Sequence, residues 1–174
     1  RASDEAFRIV SQCMIRQSDQ HLDDGSDPRD FLKPQGWSNS VWSFATARIY
    51  EGHEELLEYL ASLLHQYPWF VESFNSQEVA NTVWAVATLL SNKRVNLGEV
   101  VPKRERNAAL SILRPLLLSV AQCQAEKFNP QALSNTLWAM ATLGFGLSSS
   151  QDQSGNKYLL LESDQQVQDS QIML

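Results

Sequence analysis

Three segments of the chain write apolar and polar positions in one repeated order. They are LKPQGWSNSVWSFATAR at 32–48, FNSQEVANTVWAVATLL at 74–90 and FNPQALSNTLWAMATLG at 128–144. Trp42, Trp84 and Trp138 anchor the comparison. Gln35, Gln77 and Gln131 stand seven positions before the anchors, and Asn39, Asn81 and Asn135 three before. Ala45, Ala87 and Ala141 follow by three, and Thr46, Thr88 and Thr142 by four. At about 100° per residue, the Gln, Asn, Trp and Thr columns share one side of a helix. A second stripe lies nearly opposite: Trp37, Val41 and Phe44; Val79, Val83 and Val86; Leu133, Leu137 and Met140. Each segment is predicted to be a helix with two specific faces, packed on two sides.

A partner helix is predicted before each copy. Ala2–Gln17 is the first. Glu54–Tyr67 is apolar at Leu56, Leu57, Leu60, Leu63 and Leu64, and Pro68 ends it. Arg104–Gln124 is the third, with Pro115 expected to kink or split it. Pro34 and Pro130 suit a first helical turn, Asn75 and Asn129 suit caps, and Gly144 suits a helix end. The anchors are 42 and 54 residues apart, so loops of unequal length separate the copies. Self-similarity at such a period marks a solenoid. The fold class is therefore read as all-α, an α-solenoid of about three antiparallel helix pairs within a longer array. The first pair covers 1–50, with an acidic loop at 18–33. The second covers 51–91, a basic loop 92–103, and the third pair 104–147. Residues 148–174 are read as linker and the possible start of a further partner helix.

Charge modifies this picture only locally. The chain of 174 residues has a net charge of −6, which argues against a broad nucleic-acid patch. The acids gather at Asp19, Asp23, Asp24, Asp27 and Asp30, opposed only by Arg29, and in the tail. Between 91 and 147 seven bases meet three acids. Apolar residues make up 43%, enough for a core, and no apolar run is long enough to span a membrane. Cys13 and Cys123 form no CxxC pair, and His21, His53 and His65 lack metal-ligand spacing. No nucleophile elbow or phosphate-cradling loop appears. Neither a cofactor, a metal nor an enzymatic activity is expected.

The core Gln-x-x-Ala/Ser-Asn-x-x-Trp-x-x-Ala, written three times, resembles the signature half of the octotricopeptide repeat. The copies at 74–90 and 128–144 follow the family pattern closely. The copy at 32–48 departs from it at Ser38, Ser43, Ala47 and Arg48. The resemblance covers roughly residues 30–147. It implies an α-solenoid that binds single-stranded RNA in a mitochondrion or plastid, in RNA stability, processing or translation. Related helical repeats occur in RAP-domain and FAST-kinase-like proteins. Other proteins of an RNA-processing complex are further partners under this resemblance; DNA and membranes are not. A protein-binding solenoid without nucleic acid is the alternative.

The candidate residues divide by chemistry. Lys93, Arg94, Lys103, Arg104, Arg106, Arg114 and Lys127 are phosphate candidates. Gly36, Glu78 and Ala132 are base-reading candidates, because their column varies between copies. The invariant Gln and Asn columns are read as a hydrogen-bond ladder between repeats, since identical residues cannot discriminate bases position by position. The Trp column, flanked by Ala and Thr, is read as packing rather than base stacking.

Overall fold

The computed structural model describes residues 2–96, 102–120, 127–143, 145–151 and 157–163. Within them eight helices run in chain order: α1 (Ala2–Asp23), α2 (Pro28–Phe31), α3 (Pro34–Ala47), α4 (His53–Gln66), α5 (Pro68–Glu72), α6 (Ser76–Asn96), α7 (Lys103–Ser119) and α8 (Pro130–Leu143). A two-stranded hairpin follows, β1 (Phe145–Gln151) and β2 (Lys157–Ser163).

Local chemistry sets the ends of the signature helices. Asn75 and Glu78 form a reciprocal capping box at the start of α6. The Glu78 N–H donates to Asn75 Oδ1 at 3.0 Å, and the Asn75 N–H donates to Glu78 Oε2 at 2.8 Å. Asn129 Oδ1 accepts from the Ala132 N–H at 2.8 Å, which caps α8. Pro34 opens α3 in place of a side-chain cap. Arg48 closes α3 with φ 55°, the left-handed geometry a glycine takes without cost. Gly144 occupies the equivalent column of the third copy and lies outside the described residues.

Neighbouring helices pack in two sets. α3 lies on α6 and α6 on α8; α1 lies on α4 and α4 on α7. Contacts of α3 with α4 and of α6 with α7 join one pair to the next. The aliphatic stripe does what its spacing predicts on the first two signature helices. Val41 and Val83 are both 0% exposed, with Trp37, Phe44, Val79 and Val86 buried beside them. Leu56, Leu57 and Leu60 of α4 and Ile112, Leu113 and Leu116 of α7 fill the opposing surface. Trp37 stacks on Tyr59 of α4 at 5.6 Å, and Phe7 of α1 meets Phe44 edge-on at 5.1 Å. α6 sits between α3 and α8, and it is buried over most of its circumference from Val79 to Leu90. On α8 the same stripe is only partly covered: Leu137 is 65% exposed.

Several boundaries differ from the sequence expectation, for tertiary reasons. α1 continues through Asp23, so the front of the expected acidic loop is helical. Leu22 packs on the core, and Asp19 accepts the Tyr59 hydroxyl at 2.5 Å. α2 occupies part of the remainder, capped by Asp27. α6 continues to Asn96, into the expected basic loop. α7 is one helix through Pro115 rather than two, with Leu116 and Leu117 beyond the proline both buried. Residues 145–151 and 157–163 pair as antiparallel strands, from Phe145–Ser163 to Gln151–Lys157. Linker and further partner helix were expected there. The apolar run Tyr158–Leu161 is too short for its periodicity to separate strand from helix. β1 lies against α8 and β2 against α7.

Two outcomes check this packing. Leu60→Ala, at a fully buried site, should cost about 2–5 kcal/mol in urea unfolding, whereas Leu137→Ala should cost under ~1 kcal/mol. Equal costs would mean that α8 is covered. Burial and the Asp19 hydrogen bond raise the Tyr59 pKa above its ordinary value. A raised folded-state pKa contributes stability that is complete below the unfolded value, about 10, and is lost as pH rises above it. Tyr59→Phe should therefore flatten the alkaline limb of stability against pH, while leaving its shape near pH 7 unchanged.

Candidate nucleic-acid interface

The Gln, Asn and Trp columns lie on neighbouring helices, and they face outward. Gln35, Asn39, Trp42 and Thr46 of α3 are all exposed. Gln131, Trp138 and Thr142 of α8 are exposed, with Asn135 half-buried. On the central α6, Gln77 is exposed, Asn81 and Trp84 are half-buried, and Thr88 is buried. Trp42 retains 42% of its surface and Trp138 46%. The Trp column was expected to be scaffold packing. Its outward position corrects that expectation on α3, whose aliphatic stripe is buried on the other side; on α8 the buried residues are Ala132, Thr136 and Ala139, and the stripe is only partly covered. Trp84 alone packs partly against the core, and its ring lies 6.4 Å from that of Trp138 at 37°.

The expected amide ladder between repeats also takes another form. Gln77 Nε2 donates to Asn81 Oδ1 at 2.8 Å, within α6 and one turn apart. The polar link between α3 and α6 comes from elsewhere: Ser38 Oγ donates to the Glu78 carbonyl at 3.1 Å. The physical reason is reach. On α3 the amides of Gln35 and Asn39 are exposed, while Ser38 is buried in the seam. On α6 the Gln–Asn bond fixes the outward polarity. It uses one Gln77 N–H and the Asn81 oxygen. Gln77 Oε1, an acceptor, and Asn81 Nδ2, a donor, take no part in it.

The column Gly36, Glu78 and Ala132 does not form an exposed reading set. Gly36 is exposed but has no side chain, Glu78 is committed to the capping box, and Ala132 is fully buried. The column varies because it stands at the third helical position, where caps and seams differ between copies.

Lys93 and Arg94 lie near the C-terminus of α6, and Lys103, Arg104 and Arg106 in the first turn of α7. Arg104 pairs with Glu58 at 2.5 Å. Arg114 is half-buried further along the helix, and Lys127 is exposed, eight residues beyond Ser119 in the chain.

One cluster was invisible in the sequence. His53 opens α4, and Glu105 lies in the first turn of α7; both are buried. His53 Nε2 meets Glu105 Oε1 at 2.8 Å, and Nδ1 meets the Tyr50 carbonyl at 2.8 Å. Glu54 Oε2 approaches Nδ1 at 3.3 Å. The two carboxylates thus address opposite ring nitrogens. One ligand atom from each of His53, Glu54 and Glu105 lies within 4.8 Å of the others, close enough to hold a metal ion, and the His53–Glu105 hydrogen bond makes the cluster a polar clasp between the second and third pairs. The partners are 52 positions apart, and no local spacing announces them. Cys13 is an exposed free thiol; Cys123 lies outside the described residues.

Compared with protein-family models, curated proteins and solved structures, the chain matches none of them.

The clasp has a measurable consequence. His53→Ala strips Glu105 of this buried partner and should cost about 3 kcal/mol. Replacing both residues by leucine should recover most of that loss, because a well-packed apolar pair avoids the desolvation cost. A loss below ~1 kcal/mol for His53→Ala would show that the pair does not hold α4 to α7.

Proposed function

We propose that the chain binds single-stranded RNA across the outward Gln/Asn/Trp face of α3, α6 and α8. The reading takes the helix pairs as an α-solenoid of the octotricopeptide kind. It places the protein in organellar RNA stability, processing or translation, in a mitochondrion or plastid, and assigns it no catalytic step. The observation that carries it is the exposure of Trp42 and Trp138, with invariant amides on the same face of adjacent helices. Large exposed aromatics repeated in register suit a ligand with flat, repeated faces. Base–aromatic stacking contributes about 1–3 kcal/mol per base, and amide side chains hydrogen-bond base edges.

Electrostatics shape the expected behaviour. The chain is acidic overall, and among its phosphate candidates Arg104 is paired with Glu58 and Arg114 is half-buried. Stacking and amide contacts then carry most of the affinity, with few phosphate contacts. Counterion release scales with those contacts at about −0.7 per phosphate on single strands.

The test is fluorescence anisotropy of a labelled single-stranded RNA of about a dozen nucleotides. Trp138→Ala should weaken binding about 5–150-fold, with helical circular dichroism and melting temperature unchanged. The log–log salt slope should be no steeper than about −2. Loss of binding only together with unfolding would return the Trp column to scaffold. A folded protein that binds no RNA would favour the protein-binding solenoid.

A further inference from the structure

We propose that His53, Glu54 and Glu105 form a binding site for a divalent transition-metal ion of the zinc class, between the start of α4 and the first turn of α7. The inference does not depend on the RNA-binding reading. Two observations carry it.

The first is the donor set. One imidazole nitrogen and one oxygen of each carboxylate lie within 4.8 Å of one another. Zinc takes histidine nitrogen and glutamate oxygen at about 2.1 Å, so tetrahedral ligand atoms stand about 3.4 Å apart. From their 2.8 Å contact, His53 Nε2 and Glu105 Oε1 part by roughly half an ångström to reach that spacing, and Glu54 closes by at most about 1.5 Å. The His53 and Glu105 side chains are 1% and 2% exposed, so burial holds them in place. The Glu54 side chain is 37% exposed, which lets it swing and leaves an entry path. One imidazole with two carboxylates suits zinc and its neighbours better than magnesium or calcium, which take oxygen ligands.

The second is the placing of the ring hydrogen. The Tyr50 carbonyl can only accept, so His53 Nδ1 carries the hydrogen in the 2.8 Å contact between them. In the neutral ring Nε2 is then a bare lone pair, and it faces the Glu105 carboxylate oxygen at 2.8 Å. Two lone pairs meet at that distance only with a cation between them, a proton or a metal ion. A proton needs only the pair. Glu54, converging on the same ring with Oε2 3.3 Å from Nδ1, supplies the third ligand that a metal ion takes. A ligating histidine ordinarily gives its other N–H to a carboxylate, carbonyl or water, which fixes the tautomer and aims the binding nitrogen. The Tyr50 carbonyl holds His53 in that posture. A bound ion ties α4 to α7 where the clasp already joins them.

The test uses the intact chain, freed of metal by a chelator and titrated with zinc chloride. Calorimetry should give one ion per chain with a Kd below about 10 µM, and saturating zinc should raise the melting temperature. Magnesium at the same concentration should do neither. Glu54→Gln keeps the buried His53–Glu105 contact and should fold, yet should weaken zinc binding about tenfold or more. His53→Gln should abolish it. Cys13→Ala should leave it unchanged, because that exposed thiol belongs to no such cluster among the described residues. No rise in melting temperature with zinc, equal stabilisation by magnesium, or parent-like zinc binding by Glu54→Gln and His53→Gln would overturn the proposal and leave a proton-held pair. Loss of binding in Cys13→Ala would overturn it in favour of adventitious zinc at the thiol.

Discussion

The seam between aliphatic stripes is the constraint on which the rest of this structure depends. Val41 and Val83 are sealed against neighbouring helices, and the leucines of α4 and the Ile112–Leu117 stretch of α7 fill the space that they face. Burial of this kind is favourable by roughly 25 cal/mol per Å² of apolar surface. The Ser38 hydroxyl on the Glu78 carbonyl, by comparison, contributes about 1 kcal/mol. On α3 the stripe faces inward and the Gln/Asn/Trp face outward; α6 is covered on most sides, and on α8 both faces are partly open.

That division explains an arrangement that at first looks wasteful. A helix that needs only to pack has no reason to repeat tryptophan and two amides on its solvent side. Trp42 and Trp138 each leave more than two-fifths of their surface in water, where an apolar ring gains nothing from the fold. Repeated exposed aromatics on one face are the kind of surface a binding partner covers. The His53–Glu105 clasp contributes differently. It joins α4 to α7, and so the second pair to the third.

Much of the fold was legible in the sequence, for identifiable reasons. The three signature helices were set by their five matched columns, and the partner helices by leucine spacing. The Asn75 and Asn129 caps were readable because a cap is a local event of three or four residues. The sidedness of the columns was not readable. Periodicity shows that two faces exist and that one is aliphatic, but it does not say whether the second is covered. That depends on whether a neighbour lies above it, as for Thr88 on α6 but not for Thr46 on α3. The Trp and amide columns were read as buried for that reason. The His53–Glu105 pair escaped because it joins residues distant in the chain. The β1–β2 hairpin escaped because its short apolar run fits either period. The column of Gly36, Glu78 and Ala132 misled because its variation reflects capping and seam geometry.

The central claim is that the outward Gln/Asn/Trp face is the contact surface. Photo-crosslinking of a single-stranded RNA to the intact chain, with mass-spectrometric mapping of the attached peptides, tests it most directly. The account predicts crosslinks within 35–46, 77–88 and 131–142, centred on Trp42, Trp84 and Trp138. Crosslinks confined to Lys103–Arg114 and Lys127, with those three segments unmodified, would contradict it.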